Sequence, residues 1–341
     1  MTVKRADIRQ ARTSLEIQDG QTLLEAALAA GIPYPHGCRS GRCGSCKSRL
    51  IEGEVELLPH SRFALADEEK SDGLILACRA LLQKDVAVAW LGSDDDAHPP
   101  RRLGGVVTGL DDLTHDIKRV RIALEKGAPL HFTAGQYAQI GFDGFPVRSY
   151  SMASRPGDDS LDFHIRRVPG GAASEHVHGA LKIGDKAELE FPLGSASLRQ
   201  HHTGPILCIA GGSGLAPIKS IAETALSHGM KQPIHVYFGV RAARDLYLVE
   251  HFRALASQHA NLTFTPVLSE ASSTQYRSGF VTQVVAEDRC DLDGWKAYVA
   301  GPPPMVEAAM QVAFARGLRS ADMHADVFFT PEPLRAPETV E

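Results

Sequence analysis

Four cysteines carry the most specific chemistry in this chain. Cys38, Cys43 and Cys46 follow the spacing C-x4-C-x2-C, and Cys78 stands well downstream. That spacing holds a [2Fe–2S] cluster through four thiolates. Such a cluster is negatively charged and needs backbone N–H groups aimed at its sulfurs. A loop can wrap that tightly only where side chains are missing, and Gly37, Gly41 and Gly44 supply the freedom. A structural zinc site with four cysteine ligands is the alternative, although those sites pair two C-x2-C knuckles and this segment has one. Cys208, in a buried-strand run, and Cys290, before a loop, need no role beyond packing. His36, His60, His201 and His202 have no companion ligand at metal spacing and read as surface or loop residues.

Three further motifs are built to hold phosphates and rings. Arg148-Ser149-Tyr150-Ser151 places a guanidinium, an aromatic ring and hydroxyls on one short strand. The Arg suits a pyrophosphate, the Tyr ring stacks on an isoalloxazine, and a hydroxyl reaches a ring nitrogen. The same four residues also suit an ordinary half-buried strand. Downstream, His164, Ile165 and Arg166 are further candidates to line the cofactor site, and they lead to Gly171-Ala-Ala-Ser174, a turn that opens a helix and turns N–H groups toward the same pyrophosphate. Pro205 to Ala210 is a buried-strand run that passes into Gly211-Gly212-Ser213-Gly214-Leu-Ala-Pro217 and then a helical pattern. A glycine loop between strand and helix is a place for a dinucleotide phosphate, though this is not the G-x-G-x-x-G fingerprint.

The elements that position these motifs fall into three regions. Residues 1–92 read as a ferredoxin-like domain. A capping box at Thr22 and Glu25 opens a helix that ends before Gly31. Lys47 to Ile51 and Val55 to Leu57 straddle Gly53 as a hairpin, Asp67 to Lys70 marks a short helix, and Val86 to Trp90 closes the unit. Residues 93–102 are charged and Pro-containing, as a linker is. From 103 to 203, short β-branched runs broken by Gly and Pro predict an antiparallel β-barrel. From 204 to 329, alternating strands and helices predict a parallel α/β domain, with a last strand over Met323 to Phe329 and a flexible tail at 330–341. The expected fold class is therefore multidomain, α+β followed by α/β.

Composition limits the alternatives. The 341 residues carry a net charge of −5, with 43% apolar and 23% charged residues, which excludes wholesale disorder and a basic nucleic-acid binder. No apolar stretch approaches the ~20 residues that cross a bilayer, and the polar N-terminus has no secretory core. The expectation is a cytoplasmic protein that binds neither membrane nor nucleic acid.

Taken in order, these motifs resemble the reductase components of Rieske-type aromatic ring-hydroxylating dioxygenases, those of the naphthalene, terephthalate and benzoate systems among them. The resemblance runs over about residues 5 to 329. It implies a plant-type [2Fe–2S] ferredoxin domain with a β-grasp-like fold, joined to a ferredoxin-NADP reductase-like FAD barrel and nicotinamide domain. The family's R-x-Y-[ST] motif matches Arg148, Tyr150 and Ser151, and implies that Tyr150 and Ser151 lie nearest the reacting flavin. Its G-x-x-[ST] motif matches Gly171 and Ser174. Its G-G-[ST]-G-x-[AT]-P loop matches Gly211 to Pro217. Its C-G-P-P-x-M signature reads here Ala300-Gly301-Pro302-Pro303-Pro-Met305, with Ala in place of the usual Cys. A thiol therefore cannot act beside the hydride, and the step rests on positioning of the two rings. Phe328 or Phe329 matches an aromatic position that shields the flavin face, although core packing explains it equally well.

The resemblance implies a relay. A nicotinamide gives up two electrons together, a cluster accepts one, and a flavin serves both. NADH, with some tolerance of NADPH, is the expected coenzyme, with Arg241 and Asp245 near its ribose. A Rieske oxygenase or a Rieske ferredoxin is the expected acceptor. The reductase of a diiron monooxygenase or of a deoxysugar dehydratase is the alternative reading, and a non-enzymatic electron carrier a more distant one. Arg39, Arg42, Lys47 and Arg49, with no acidic residue among them, form either a docking rim for an acidic partner or an offset to the cluster's charge.

Overall fold

The computed structural model describes residues 3–91, 100–124, 131–270 and 275–329. In the N-terminal body, β1 (Val3–Ile8) and β2 (Thr13–Gln18) form an antiparallel pair. Helix α1 (Leu23–Ala29) starts at Thr22, whose side chain accepts from the Glu25 N–H while the Glu25 carboxylate accepts from the Thr22 N–H. This reciprocal cap satisfies donors the helix cannot, and α1 buries Leu23, Leu24, Ala26 and Ala27. There follow β3 (Lys47–Glu52), β4 (Val55–Leu57), α2 (Asp67–Ser71), β5 (Leu74–Leu76), β6 (Ala80–Leu82) and β7 (Val86–Trp90). The main sheet has the order β2-β1-β7-β3-β5, with β7 central and parallel to β1.

The expected hairpin across Gly53 does not form. β3 pairs with β5 and β7, whereas β4 pairs with β6 in a separate small sheet. The cause is the turn at Gly53, which has φ +92° and lies so close to β7 that a Cβ would stand 2.1 Å from the Asp85 carbonyl. The chain therefore peels away from β3 instead of folding back on it.

The second body contains β8 (Arg101–Asp112), β9 (Ile117–Leu124), β10 (Tyr137–Phe142), β11 (Arg148–Ser151), β12 (Leu161–Arg166), α3 (Ala172–Gly179) and β13 (Lys186–Leu193). Its six strands run in the order β11-β10-β13-β8-β9-β12, and a bridge between Met152 and Phe163 brings the two edges together into a nearly closed antiparallel barrel. Arg101 and Arg102 belong to β8, because both pair with β13; the stretch read as linker therefore stops short of them. Residues 93–99 of that stretch lie outside the described residues, as does the tail from 330.

The third body is β14 (Ile206–Gly211), α4 (Leu215–Ser227), β15 (Ile234–Val240), α5 (Val249–Gln258), β16 (Leu262–Leu268), β17 (Arg277–Ser278), α6 (Val281–Asp288), β18 (Lys296–Gly301), α7 (Pro303–Phe314) and β19 (Met323–Val327). All its strands are parallel, in the order β17-β16-β15-β14-β18-β19. β14 is buried at every position, which is why it reads as an unbroken apolar run. Sequence reading missed α6 and β17, and it carried the last strand two residues too far: β19 ends at Val327, and the Phe328 N–H then bonds to the Gly301 carbonyl. The barrel and this sheet are stitched together. The Ser220 hydroxyl donates to the Ser154 carbonyl at 2.6 Å, and Lys219 Nζ to that of Ala153 at 3.1 Å.

Candidate functional site

The cysteine loop lies between α1 and β3, and its thiols come together in two pairs. The Cys38 N–H is 3.3 Å from the Cys43 sulfur, and the Cys78 N–H 3.4 Å from the Cys46 sulfur. Backbone amides point at the sulfurs: Ser40 and Arg42 N–H at Cys38, Cys38 N–H at Cys43, and Cys78 N–H at Cys46. These donors, with the Cys43 contact foremost, hold the Cys38 thiol well below its usual range. Gly41 and Gly44 take φ +72° and +71°, as the tight loop requires. Gly37 is needed for a different reason: a Cβ there would stand 2.5 Å from the Tyr137 hydroxyl. Among the described residues no three His, Cys, Asp or Glu side chains converge on one metal position. Two thiols on each of two irons fit this arrangement, and a single four-coordinate zinc does not.

On the barrel, β11 pairs with β10 so that Tyr137 faces Ser151 and Ala138 faces Tyr150. Strand alternation puts Arg148 and Tyr150 on one face and Ser149 and Ser151 on the other. Arg148 and Ser149 are exposed, Tyr150 is half-buried against the barrel core, and Ser151 is buried. Burial pushes the Tyr150 hydroxyl up to about 12, so it stays protonated. Helix α3 opens at Ala172 with Gly171 as its cap, and the Ser174 hydroxyl is spent locally, on the Val168 N–H and the Gly171 carbonyl. What this turn offers an anion is its free first-turn N–H groups.

The three β12 residues separate. His164 is buried with its Nδ1 3.2 Å from the Tyr247 hydroxyl, and burial lowers its pKa to about 3, leaving it neutral. Ile165 is core, and its carbonyl is 2.9 Å from His178 Nε2. Only Arg166 reaches outward: it bonds Asp116 at 2.7 Å and lies 3.3 Å from where a Gly212 Cβ would be.

The two nicotinamide motifs form one cradle. A Cβ on Gly214 would stand 2.1 Å from the Ala300 carbonyl, and one on Gly211 2.5 Å from the Met305 sulfur. Gly212 has φ +55°, and its carbonyl accepts from Tyr247 at 3.3 Å. Ser213 lies in the tight turn over Gly212–Gly214, and Pro217 is in the first turn of α4. Pro302 caps α7, and Pro303 occupies its first position, where a missing N–H costs nothing. Arg241 and Arg244 are mostly exposed. The Asp245 carboxylate instead caps its own turn at the Ala242 N–H, 2.9 Å away, and stands 3.6 Å from His115.

Sequence reading missed what happens between domains. The Ser151 hydroxyl donates to Asp326 on β19 at 2.5 Å, and burial raises that carboxyl to about 6 against the lowering effect of the bond. The cluster loop packs onto the same junction. Arg39 pairs with Glu190 on β13 at 2.8 Å, and Glu190 also holds Arg102 at 3.0 Å. Arg62 pairs with Glu307 on α7. The Phe329 ring packs with Phe63 and lies beneath the Arg42 guanidinium. Phe329 is thus committed to the ferredoxin domain, which leaves Phe328 for any shielding role. Lys47 bonds Glu69 and Arg49 the Asp72 carbonyl, so all four basic residues near the cluster have partners within the chain. None of these pairings shows in local sequence, because each partner lies on another element.

The family comparisons agree with this geometry. Family models match residues 7–83 as a 2Fe-2S iron-sulfur cluster binding domain, 105–198 as an oxidoreductase FAD-binding domain and 208–311 as an oxidoreductase NAD-binding domain. The ferredoxin–NAD(P)+ reductase component of the naphthalene 1,2-dioxygenase/salicylate 5-hydroxylase systems of a Ralstonia species is 41% identical, over 92% of this chain and 95% of the relative. The chain belongs to this reductase family. The reductase component of phenol 2-monooxygenase, DmpP, from a Pseudomonas strain is 37% identical over 93% of this chain and 92% of its own. The crystal structure of Amycolatopsis cytochrome P450 reductase GcoB is 36% identical, with a TM-score of 0.77, and the match covers 95% of this chain and 98% of that one. As a member, this reductase is an NAD(P)H-linked oxidoreductase of FAD and a [2Fe–2S] cluster. None of its described helices is long and apolar enough to cross a membrane.

Proposed function

We propose that this reductase draws electrons from NADH and delivers them to the Rieske oxygenase, or Rieske ferredoxin, of an aromatic ring-hydroxylating dioxygenase. The observation that carries the relay is the docking of the cysteine loop on the junction where Ser151 meets Asp326. When bound, FAD would convert paired electrons to single ones that a [2Fe–2S] cluster can pass on. Cys38 and Cys43 would hold one iron, and Cys46 and Cys78 the other. Arg148 and the α3 N–H groups bind the flavin pyrophosphate, and Tyr150 packs on the ring. Gly211 to Gly214 and the Gly301 turn hold the nicotinamide nucleotide, their missing side chains letting the phosphate meet backbone N–H groups. Ala300 leaves that site without a thiol, so orientation of the two rings is the main contribution.

The naphthalene-system relative supports the aromatic dioxygenase as destination. The phenol monooxygenase relative favours a diiron monooxygenase as second reading. Purified Rieske ferredoxin, Rieske oxygenase and diiron hydroxylase, each offered to the NADH-reduced holoprotein, separate the two. Rapid reduction of the diiron component alone would overturn the first reading. The yellow-brown holoprotein must also bleach on addition of NADH.

Coenzyme choice rests on the segment after β15. With Asp245 engaged in capping, the exposed Arg241 and Arg244 are the groups left to meet a ribose phosphate. Replacing both with Ala is expected to lower kcat/KM for NADPH about tenfold, roughly 1.4 kcal/mol, while NADH changes less than about twofold. An unaltered protein about tenfold better with NADPH would overturn the NADH assignment.

A further inference from the structure

We propose that the Tyr137 hydroxyl donates a hydrogen bond to the iron-bound sulfur of Cys43, joining the flavin barrel to the cluster and raising the cluster's reduction potential. The inference rests on the proposed four-cysteine ligation. Tyr137 is 7% exposed, yet among the described residues its hydroxyl has no hydrogen-bond partner. Phe would fill the same space without burying an unpaired donor, so the hydroxyl marks an acceptor that local backbone and side chains do not provide.

Placement identifies that acceptor. Tyr137 begins β10 directly opposite Ser151, the residue that holds Asp326. Its ring lies against Gly194, where a Cβ would come within 2.8 Å of it. Its tip reaches across the domain boundary to Gly37, where one Cβ position would be 2.5 Å from the hydroxyl and 3.0 Å from Cys43 Sγ. Cys43 Sγ also lies 3.2 Å from the Ser45 hydroxyl oxygen. As an iron-bound thiolate it has no hydrogen to give and accepts from its surroundings, with the Cys38 N–H already 3.3 Å away.

A hydrogen bond to a cluster sulfur stabilises the more negative, reduced state and so raises its potential. In the transfer itself one electron leaves reduced flavin and one arrives on the cluster. Tyr137 neither gains nor loses a proton.

The test is Tyr137→Phe in the holoprotein, read by FAD and iron content, the cluster's EPR spectrum and an anaerobic redox titration. Iron content and spectrum report on the cysteine ligation independently of the potential. The expected result is full cofactor loading, an unchanged flavin potential and a more negative cluster potential. The electron partition then moves toward flavin by about tenfold, or roughly 59 mV for one electron. A fully loaded variant with an unchanged cluster potential overturns the proposal. Should Tyr137→Phe purify without its cluster, Tyr137→Met, which fills the space and donates nothing, takes its place under the same criteria. Loss of the cluster from both with FAD retained supports the proposal. Loss of FAD together with the cluster makes Tyr137 a barrel-packing residue and overturns it.

Discussion

Replacing Cys78 with Ser is expected to lower NADH-driven reduction of cytochrome c and of the oxygenase partner by ~100-fold or more, while NADH-driven ferricyanide reduction stays within about twofold. An alkoxide is a poor iron ligand at neutral pH, and Cys78 is buried against Cys46 with no other sulfur to replace it. One iron is left with a single thiolate, and the cluster is lost or damaged. The residues proposed to hold FAD and the nicotinamide, Arg148, Tyr150, Ser151 and the Gly211 and Gly301 loops, all lie outside the ferredoxin body. Ferricyanide takes electrons from reduced flavin, so its reduction survives. The contacts between bodies make this a stringent test, because Arg39 with Glu190 and Phe63 with Phe329 join the ferredoxin domain to the other two. Stopped-flow spectra of the variant report flavin reduction directly. If ferricyanide reduction disappeared while FAD remained bound, the order nicotinamide, flavin, cluster would be wrong. Full activity toward the partner would remove the cluster as the exit.

Features that depend on a few neighbouring residues were legible in the sequence. The Thr22–Glu25 cap, the cysteine spacing and the glycine loops are local devices, and each stands where its residues said it would. The barrel and the parallel sheet were legible because strand burial writes itself into runs and alternations, as in the fully buried β14. Contacts between distant elements left no such trace. The hairpin across Gly53 failed because Asp85, far along the chain, occupies the space a returning strand needs. Tyr137 reads as one more apolar residue at the head of a strand, and only its contact with Gly37 sets it apart. Asp326 carried one faint signal, a carboxylate inside a half-buried strand, and nothing local pointed to Ser151 as its partner. His164 shows the converse: its position beside the phosphate-binding turn made it a cofactor candidate, yet its side chain is enclosed with Tyr247.

Asp326 supplies the second large effect. Its carboxyl titrates at about 6, raised by burial and held back by the Ser151 hydrogen bond. Below that pH the group is neutral, and above it the group is an anion that can only accept, so the Ser151 hydroxyl must donate to it. This turns the Ser151 oxygen's lone pairs away from Asp326. A nicotinamide becomes cationic as it gives up hydride, and the half-buried Asp326 carboxylate would stabilise that charge on a ring bound at this junction. The sign follows: NADH-dependent flavin reduction should rise as pH passes upward through about 6. Asp326→Asn keeps the shape without the charge, and is expected to reduce the rate at pH 8 by about 10- to 100-fold and abolish the rise. Ser151→Ala removes the bond that holds the carboxyl down, so the rise should move to higher pH as the rate falls. Single-turnover stopped-flow across pH 5 to 9, with FAD content measured for each variant, reads all three. A rise near pH 6 that persisted in Asp326→Asn would assign the titration to another group, and an Asn variant as fast as the unaltered protein at pH 8 would remove Asp326 from the hydride step.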